Sequence, residues 1–324
     1  PTPELFKIIK NLAFGEVGLI VPGFFYINEQ SRSSIGQSGM FSNKHSQAWK
    51  STIEQIHNET SSKIIFQLCH GGAKSLEELN HYPPEAPSPL HSNVHALSEQ
   101  GIKSTINSFI EAAERSKEAG ADGVQIHCAH GFLLSEFLSP TLNLRHDEYG
   151  GSAENRIRIV KEIATSIRKR TGPDFLLSIK INGEDYDDAG VGVTSPMCAW
   201  YISQLMSTID LFEISCGIGP RCFATRINFN KKLYEKMIRP KSAALAAINI
   251  AEKECMDVPY FEGYNVDSVN TIRRIAPKAK LAVVGGLRSF DALEHLVTKG
   301  TADLVSLSRP FIRQPNLVKT LRTT

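Results

Sequence analysis

Two histidines, His127 and His130, stand just beyond the apolar run Gly123–Ile126. Imidazoles at the end of a buried strand can aim N–H donors at one carbonyl or phenolate oxygen, polarising it or holding its negative charge. A lone histidine is most often a satisfied structural group, but the pairing and the strand-end position favour a functional reading. A metal site would need a third ligand. Asp147 is the nearest carboxylate in sequence, and no recognisable metal-binding spacing accompanies it.

Three further groups sit at comparable places. Gln67 ends the run KIIFQL, followed by Cys69 and His70. A carboxamide there donates and accepts at once, which suits the edge of a uracil-like ring; a buried amide bonded to backbone is the structural alternative. Lys180 lies inside the apolar run LLSIKIN. A lysine is rarely buried without a partner. It can stabilise negative charge on a bound ring, or it can pair with Glu184 or Asp185. The turns containing Gly285–Gly286 and Ser308–Arg309 follow the last two apolar runs, and both suit a phosphate through backbone N–H groups and the Arg309 guanidinium.

These residues are positioned by an alternation of apolar strands and amphipathic helices. Strands are expected at Val17–Pro22, Lys63–Leu68, Gly123–Ile126, Phe175–Ile181, Leu211–Ile214, Leu281–Val284 and Leu304–Leu307. Helical spacing marks Pro3–Leu12, His45–His57, Ile102–Ala119, Ala153–Arg170, Pro196–Met206, Val266–Ile275 and Phe290–Val297. Near-continuous apolar strands separated by helices imply a parallel sheet covered by helices. The expectation is an α/β fold, a (β/α)8 barrel lacking its first strand in this sequence, because seven strands are counted where closure takes eight. An open doubly wound sheet is the alternative, without a Gly-rich dinucleotide turn to support it. Two segments interrupt the rhythm, Ala73–Gln100 and Gly217–Gly263; both are expected to elaborate the mouth of the barrel.

Hydrophobic residues make up 41% of the 324, charged residues 22%, and the net charge is +2. That balance argues against polyanion binding by bulk electrostatics. The six cysteines, Cys69, Cys128, Cys198, Cys216, Cys222 and Cys255, form no C-x-x-C pair and read as free thiols of a reducing, cytoplasmic compartment. No apolar run reaches membrane-spanning length, and PTPELFKII has no signal-peptide pattern.

Together the groups resemble the Old Yellow Enzyme family of FMN-dependent NAD(P)H:flavin oxidoreductases, which are TIM barrels. The most specific stretch is HCAHGFLLSEFLSPTLNLRHDEYGGSAENR, His127 to Arg156, joined by GQSGMFS, FQLCHGGAKS, VVGGLRS and SLSRPFIRQPNL. The resemblance implies a single barrel domain over 1–324, with FMN bound and NAD(P)H as reductant. Gln67 would meet the flavin pyrimidine edge and Lys180 its N1 and O2 side. Gly285, Gly286, Ser308 and Arg309 would hold the phosphate. His127 and His130 would grip the electron-withdrawing group of a small-molecule acceptor such as an enone or quinone. Neither nucleic acid nor membrane is an expected partner, and family members often form dimers or larger assemblies. Phe132 stands where many members have a tyrosine thought to protonate the substrate, and a phenyl ring has no proton to give. Tyr26, Tyr186, Tyr260 and water are the other candidates. A barrel that binds FMN without efficient ene reduction is therefore the second expectation, and a metal-dependent hydrolase built on the histidine pair is a third.

Overall fold

The structure, a computed structural model, describes residues 1–187, 190–218, 245 and 261–322. The chain opens with α1 (Pro3–Phe14), β1 (Leu19–Ile20), β2 (Phe24–Tyr26), α2 (Asn43–Glu59) and β3 (Lys63–Cys69). A short helix α3 (Glu77–Asn80) and a small parallel pair, β4 (Glu85–Ala86) and β5 (His95–Ala96), fill the expected insertion before α4 (Glu99–Glu118). Next come β6 (Gly123–Cys128), α5 (Leu133–Leu138), α6 (Ala153–Arg156), α7 (Arg158–Thr171), β7 (Leu176–Glu184), α8 (Ser195–Leu205) and β8 (Leu211–Cys216). The last part holds α9 (Val266–Ile275), β9 (Leu281–Val284), α10 (Phe290–Thr298), β10 (Leu304–Ser306), α11 (Arg309–Arg313) and α12 (Leu317–Leu321). The segment Gly217–Gly263, expected to elaborate the mouth, lies almost wholly outside the described residues, Tyr260 included.

All the main strands pair in parallel, in the order β1-β3-β6-β7-β8-β9-β10, and β2 also lies along β3. β1 and β2 are thus two pieces of one strand position. The expected Val17–Pro22 strand breaks because Pro22 offers no N–H to a ladder and Gly23 takes a φ of 132°. Leu304 on β10 is 43% exposed, whereas every residue of β6 and β8 is buried. That contrast fits β10 at one end of the sheet order and the other two strands inside it. Helices bring the two ends of the described chain together: Lys319 donates its backbone N–H to Gly15 at 3.3 Å, and Arg322 pairs with Glu16 at 2.7 Å.

Outward-facing strand residues meet inward-facing helix residues in one apolar layer. Ile64, Phe66 and Leu68 of β3 and Val124 and Ile126 of β6 share it with Trp49, Ile53 and Ile56 of α2 and Phe109 of α4. Trp49 lies 4.9 Å from the Phe66 ring and 5.6 Å from Phe25. The helix expected at Ala153–Arg170 is interrupted at Ile157, while α7 buries Ile159, Val160, Ile163, Ala164 and Ile167 as its spacing requires. The apolar segment after His130 forms α5, every residue of which is buried.

Three aspartates repeat one arrangement at the end of the sheet opposite the histidines. Asp122, Asp210 and Asp303 each stand one residue before a strand. Each accepts the backbone N–H of the preceding strand, from Ile64 at 2.8 Å, Leu177 at 2.8 Å and Leu281 at 2.9 Å. Each also meets a basic side chain of the helix before that strand: His57 at 2.8 Å, Arg168 at 2.5 Å and Arg273 at 2.7 Å. Burial works to raise the Asp122 and Asp303 carboxyls, but the backbone N–H and the basic partners outweigh it and hold both below the usual aspartate value.

Two outcomes follow for stability. Phe66→Ala should lower the unfolding free energy by about 3–5 kcal/mol, whereas Ile8→Ala on the exposed side of α1 should change it by no more than about 0.5 kcal/mol, both read from chemical denaturation. Asp122→Asn should cost about 1–3 kcal/mol at pH 7. The folded carboxyl titrates below its unfolded value, so its contribution is complete above that value and is lost as pH falls through the folded one. The gap between parent and variant should therefore close as pH is lowered below about 4.

Candidate active site at the C-terminal mouth of the sheet

Side chains alternate along a strand, so one face of every strand points into the sheet's concave side. The inward positions of β6, β7 and β8 are polar: Gln125 and His127, Ser178, Lys180 and Asn182, and Glu213 and Ser215. Register sets His127 beside Lys180 and Lys180 beside Glu213. One layer below, Gln67 sits beside Gln125 and Gln125 beside Ser178.

These groups pair with one another. Gln67 Nε2 donates to Gln125 Oε1 at 2.5 Å. Gln125 Nε2 donates to Glu213 Oε2 at 2.9 Å and to Ser178 Oγ at 3.3 Å. Lys180 Nζ lies 3.3 Å from Glu213 Oε1. The expected alternative partners of Lys180 were Glu184 and Asp185. Glu184 ends the same strand, Asp185 follows it, and both turn elsewhere: Glu184 accepts from Ser195, and Asp185 from Asn182 and Val193. Glu213 and Gln125 are the groups that sequence reasoning missed. Their signal was the polar residue recurring at every second position in otherwise apolar strands.

The two histidines come together as expected, with ring centres 5.3 Å apart and planes at 86°. His127 is buried, and its Nδ1 accepts the Ala129 N–H at 3.3 Å, which leaves Nε2 as the protonated nitrogen. Burial, then the charges of His130, Lys180 and Lys74, hold its pKa well below the ordinary histidine value, so the ring is neutral at pH 7. His130 adopts a φ of 65°, donates its backbone N–H to Asn182 Oδ1 at 3.2 Å, and shares a hydrogen bond with Ser215 at 2.6 Å between Nε2 and Oγ. A neutral N–H donor beside a second imidazole can bind a carbonyl oxygen or stabilise an oxyanion.

An aromatic and ionic wall adjoins the pair. Phe132 lies 4.9 Å from His127 and 5.3 Å from Phe24 between ring centres. Lys74 Nζ sits 5.2 Å from the Phe132 centroid and donates to the His130 carbonyl. The turn carrying Lys74 rests on Glu136, whose Oε1 accepts the Ala73 N–H at 2.9 Å. Burial pushes the Glu136 carboxyl up to about 8, and it outweighs that backbone bond and the Lys74 charge. His70 is held down at about 4 by burial, with Nδ1 accepting the Gly72 N–H.

The remaining expected residues lie apart from the histidines. Gly285 and Gly286 take φ values of 136° and 67°. A Cβ at Gly285 would come within 2.6 Å of Tyr264 and 2.8 Å of Asn265 Nδ2, so the turn needs glycine there. Ser306 pairs with Val284, which sets this turn and the exposed Ser308–Arg309 turn side by side, beyond β7 and β8 from the histidines. Tyr26 packs with Phe41 and His45. Tyr186 is 39% exposed, and Tyr260 falls outside the described residues. Asp147 is bound by Arg145.

A family model described as the NADH:flavin oxidoreductase / NADH oxidase family matches residues 5–216. The NADPH dehydrogenase of Bacillus subtilis (strain 168) is 32% identical over 313 residues, covering 95% of this chain and 80% of that protein. The old yellow enzyme homologue from Zymomonas mobilis superposes with a TM-score of 0.75 at 22% identity, over 100% of this chain and 83% of that one. A 2-naphthoyl-CoA reductase gives 0.82 at 23% identity, over 98% of this chain but 46% of its own. At these identities the two structures show a shared fold, an α/β barrel.

Lys180→Met should destabilise the protein by about 3–5 kcal/mol in chemical denaturation, because it leaves Glu213 as a buried charge without its cation. The double variant Lys180→Met/Glu213→Gln should recover most of that loss, which would separate the buried charge from simple loss of packing.

Proposed function

The chain belongs to the NADH:flavin oxidoreductase / NADH oxidase family, and on that premise we propose that it reduces a small acceptor whose electron-withdrawing oxygen is bound by His127 and His130. Membership makes it an oxidoreductase with FMN as its flavin and NAD(P)H as reductant. The 1–324 chain reads as one such domain. Its similarity to an NADPH dehydrogenase favours NADPH.

The chemistry of the groups present fits FMN. A carboxamide at Gln67 suits the pyrimidine edge, and the Lys180 cation suits its N1 and O2 side. Two glycines of positive φ, beside Ser308 and Arg309, suit the phosphate. Bound there, the flavin would supply the hydride it receives from NAD(P)H. The chain's own work is to orient and polarise the acceptor. His127 donates from Nε2 and His130 lies beside it, so negative charge developing on the acceptor's oxygen meets donors already in place. The single observation carrying this reading is the neutral, buried His127 ring with its Nδ1 already occupied by the Ala129 N–H. Activated alkenes with a carbonyl, and quinones, are the acceptor classes this arrangement serves.

A second reading is favoured by Phe132, whose ring in contact with His127 has no proton to give. In that case the barrel keeps FMN and reduces quinones but handles enones poorly.

The purified protein should bind FMN, and NADPH should bleach its absorbance without oxygen; a protein that takes up no FMN would overturn the proposal. Turnover of a cyclic enone against that of a benzoquinone decides between the two readings. His127→Ala should retain FMN, weaken binding of a phenol and lower enone turnover by about 10²–10³-fold. Loss of FMN from that variant would make the residue structural.

A further inference from the structure

Hydride addition to one carbon of an alkene leaves an electron pair that needs a proton on the other carbon. The imidazoles are assigned to the acceptor's oxygen, and Phe132 is inert. A protic side chain stands on the same wall as Phe132, and it is Lys74. It stands on the turn Gly72–Lys74 immediately after β3, where Gly72 takes a φ of 62° and buried Glu136 accepts the Ala73 N–H. This anchored turn brings Nζ to the His130 carbonyl and over the Phe132 ring. Gly131 keeps the approach open: a Cβ there would lie 3.2 Å from Nζ. The ammonium is therefore held beside both histidines by backbone anchors rather than by a flexible loop. Its charge is also one of those that keep His127 neutral.

We propose that Lys74 is the proton donor for reduction of an activated alkene, doing the work a hydroxyl at position 132 would do. The inference rests on the function proposed above. Two electrons and one hydrogen reach the β-carbon as hydride derived from NAD(P)H. The alkene π pair shifts toward the α-carbon and the oxygen bound by His127 and His130. An N–H bond of Lys74 then breaks, its pair stays on nitrogen, and the proton forms the α C–H bond. The amine regains a proton from water. A quinone makes no such demand, since its oxygens take protons from solvent.

The test compares the FMN-loaded parent with Lys74→Met and Lys74→Arg, using 2-methylcyclohexenone and benzoquinone in D2O. The ratio of enone to quinone turnover should fall about 100-fold in Lys74→Met, within the range that positioned proton donors supply. Deuterium at the α-carbon should enter on one face in the parent and on both faces in Lys74→Met, because water then delivers it without a fixed direction. Lys74→Arg keeps the charge but holds its proton too tightly to donate, so it should resemble Lys74→Met. An unchanged turnover ratio and single-faced deuteration in Lys74→Met would overturn the proposal. So would an Lys74→Arg variant as active on the enone as the parent, which would assign the effect to charge alone. A parent that binds no FMN, or is not bleached by NADPH, would instead defeat the underlying function.

Discussion

Register in the parallel sheet is the constraint on which the rest depends. A slip of one residue would turn every inward side chain outward. Asp122, Asp210 and Asp303 oppose such slips in the same way three times over. Each carboxylate ties a strand start to the backbone of the strand before it and to a basic residue on the helix that leads into that earlier strand. One side chain therefore sets strand-to-strand register and helix placement together. At the other end of the strands the same parallel register sets His127, Lys180 and Glu213 in a row.

The row carries a second consequence. A concave face lined by Gln67, Gln125, Ser178, Lys180 and Glu213 is stable only if its polar groups are paired, since an unpaired buried amide or charge is costly. The chain from Gln67 through Gln125 and Glu213 to Lys180 meets that condition within the protein. It also forms a floor of fixed charge and dipole beneath the histidines. The carboxylate of Glu213 moderates the Lys180 cation. The two neutral-leaning groups above it, His127 and His70, are kept so by burial. The wall of Phe24, Phe132 and Lys74 completes an environment in which donors are already oriented.

Strand and helix positions were legible because periodicity in apolar residues reports which face is buried. Every expected strand is present, and most boundaries lie within a few residues. The misses have local causes. Val17–Pro22 breaks at Pro22 and Gly23, where the backbone cannot keep a ladder, and continues as Phe24–Tyr26. The helix expected at Ala153–Arg170 divides at Ile157 into Ala153–Arg156 and Arg158–Thr171. Lys180 was identified as a buried cation needing a partner, yet the partner sits on the next strand. Linear spacing cannot show a neighbour fixed by cross-strand register, so Glu184 and Asp185 were the natural candidates and Glu213 was not.

Residue types and local spacing alone were enough for the class of fold, for placing Gln67, His127 and Lys180 on strands and His130 just beyond one, and for the glycine turn after β9. Each follows from residue type and local periodicity, which need no tertiary contact to be read. Which of those groups meet was settled by packing. It brought the two imidazoles to 5.3 Å, gave Lys180 its carboxylate, and carried Lys74 from the end of one strand to the carbonyl of a residue beyond the next. Those meetings depend on register and on where buried turns point, and such quantities are properties of the packed sheet rather than of any one segment.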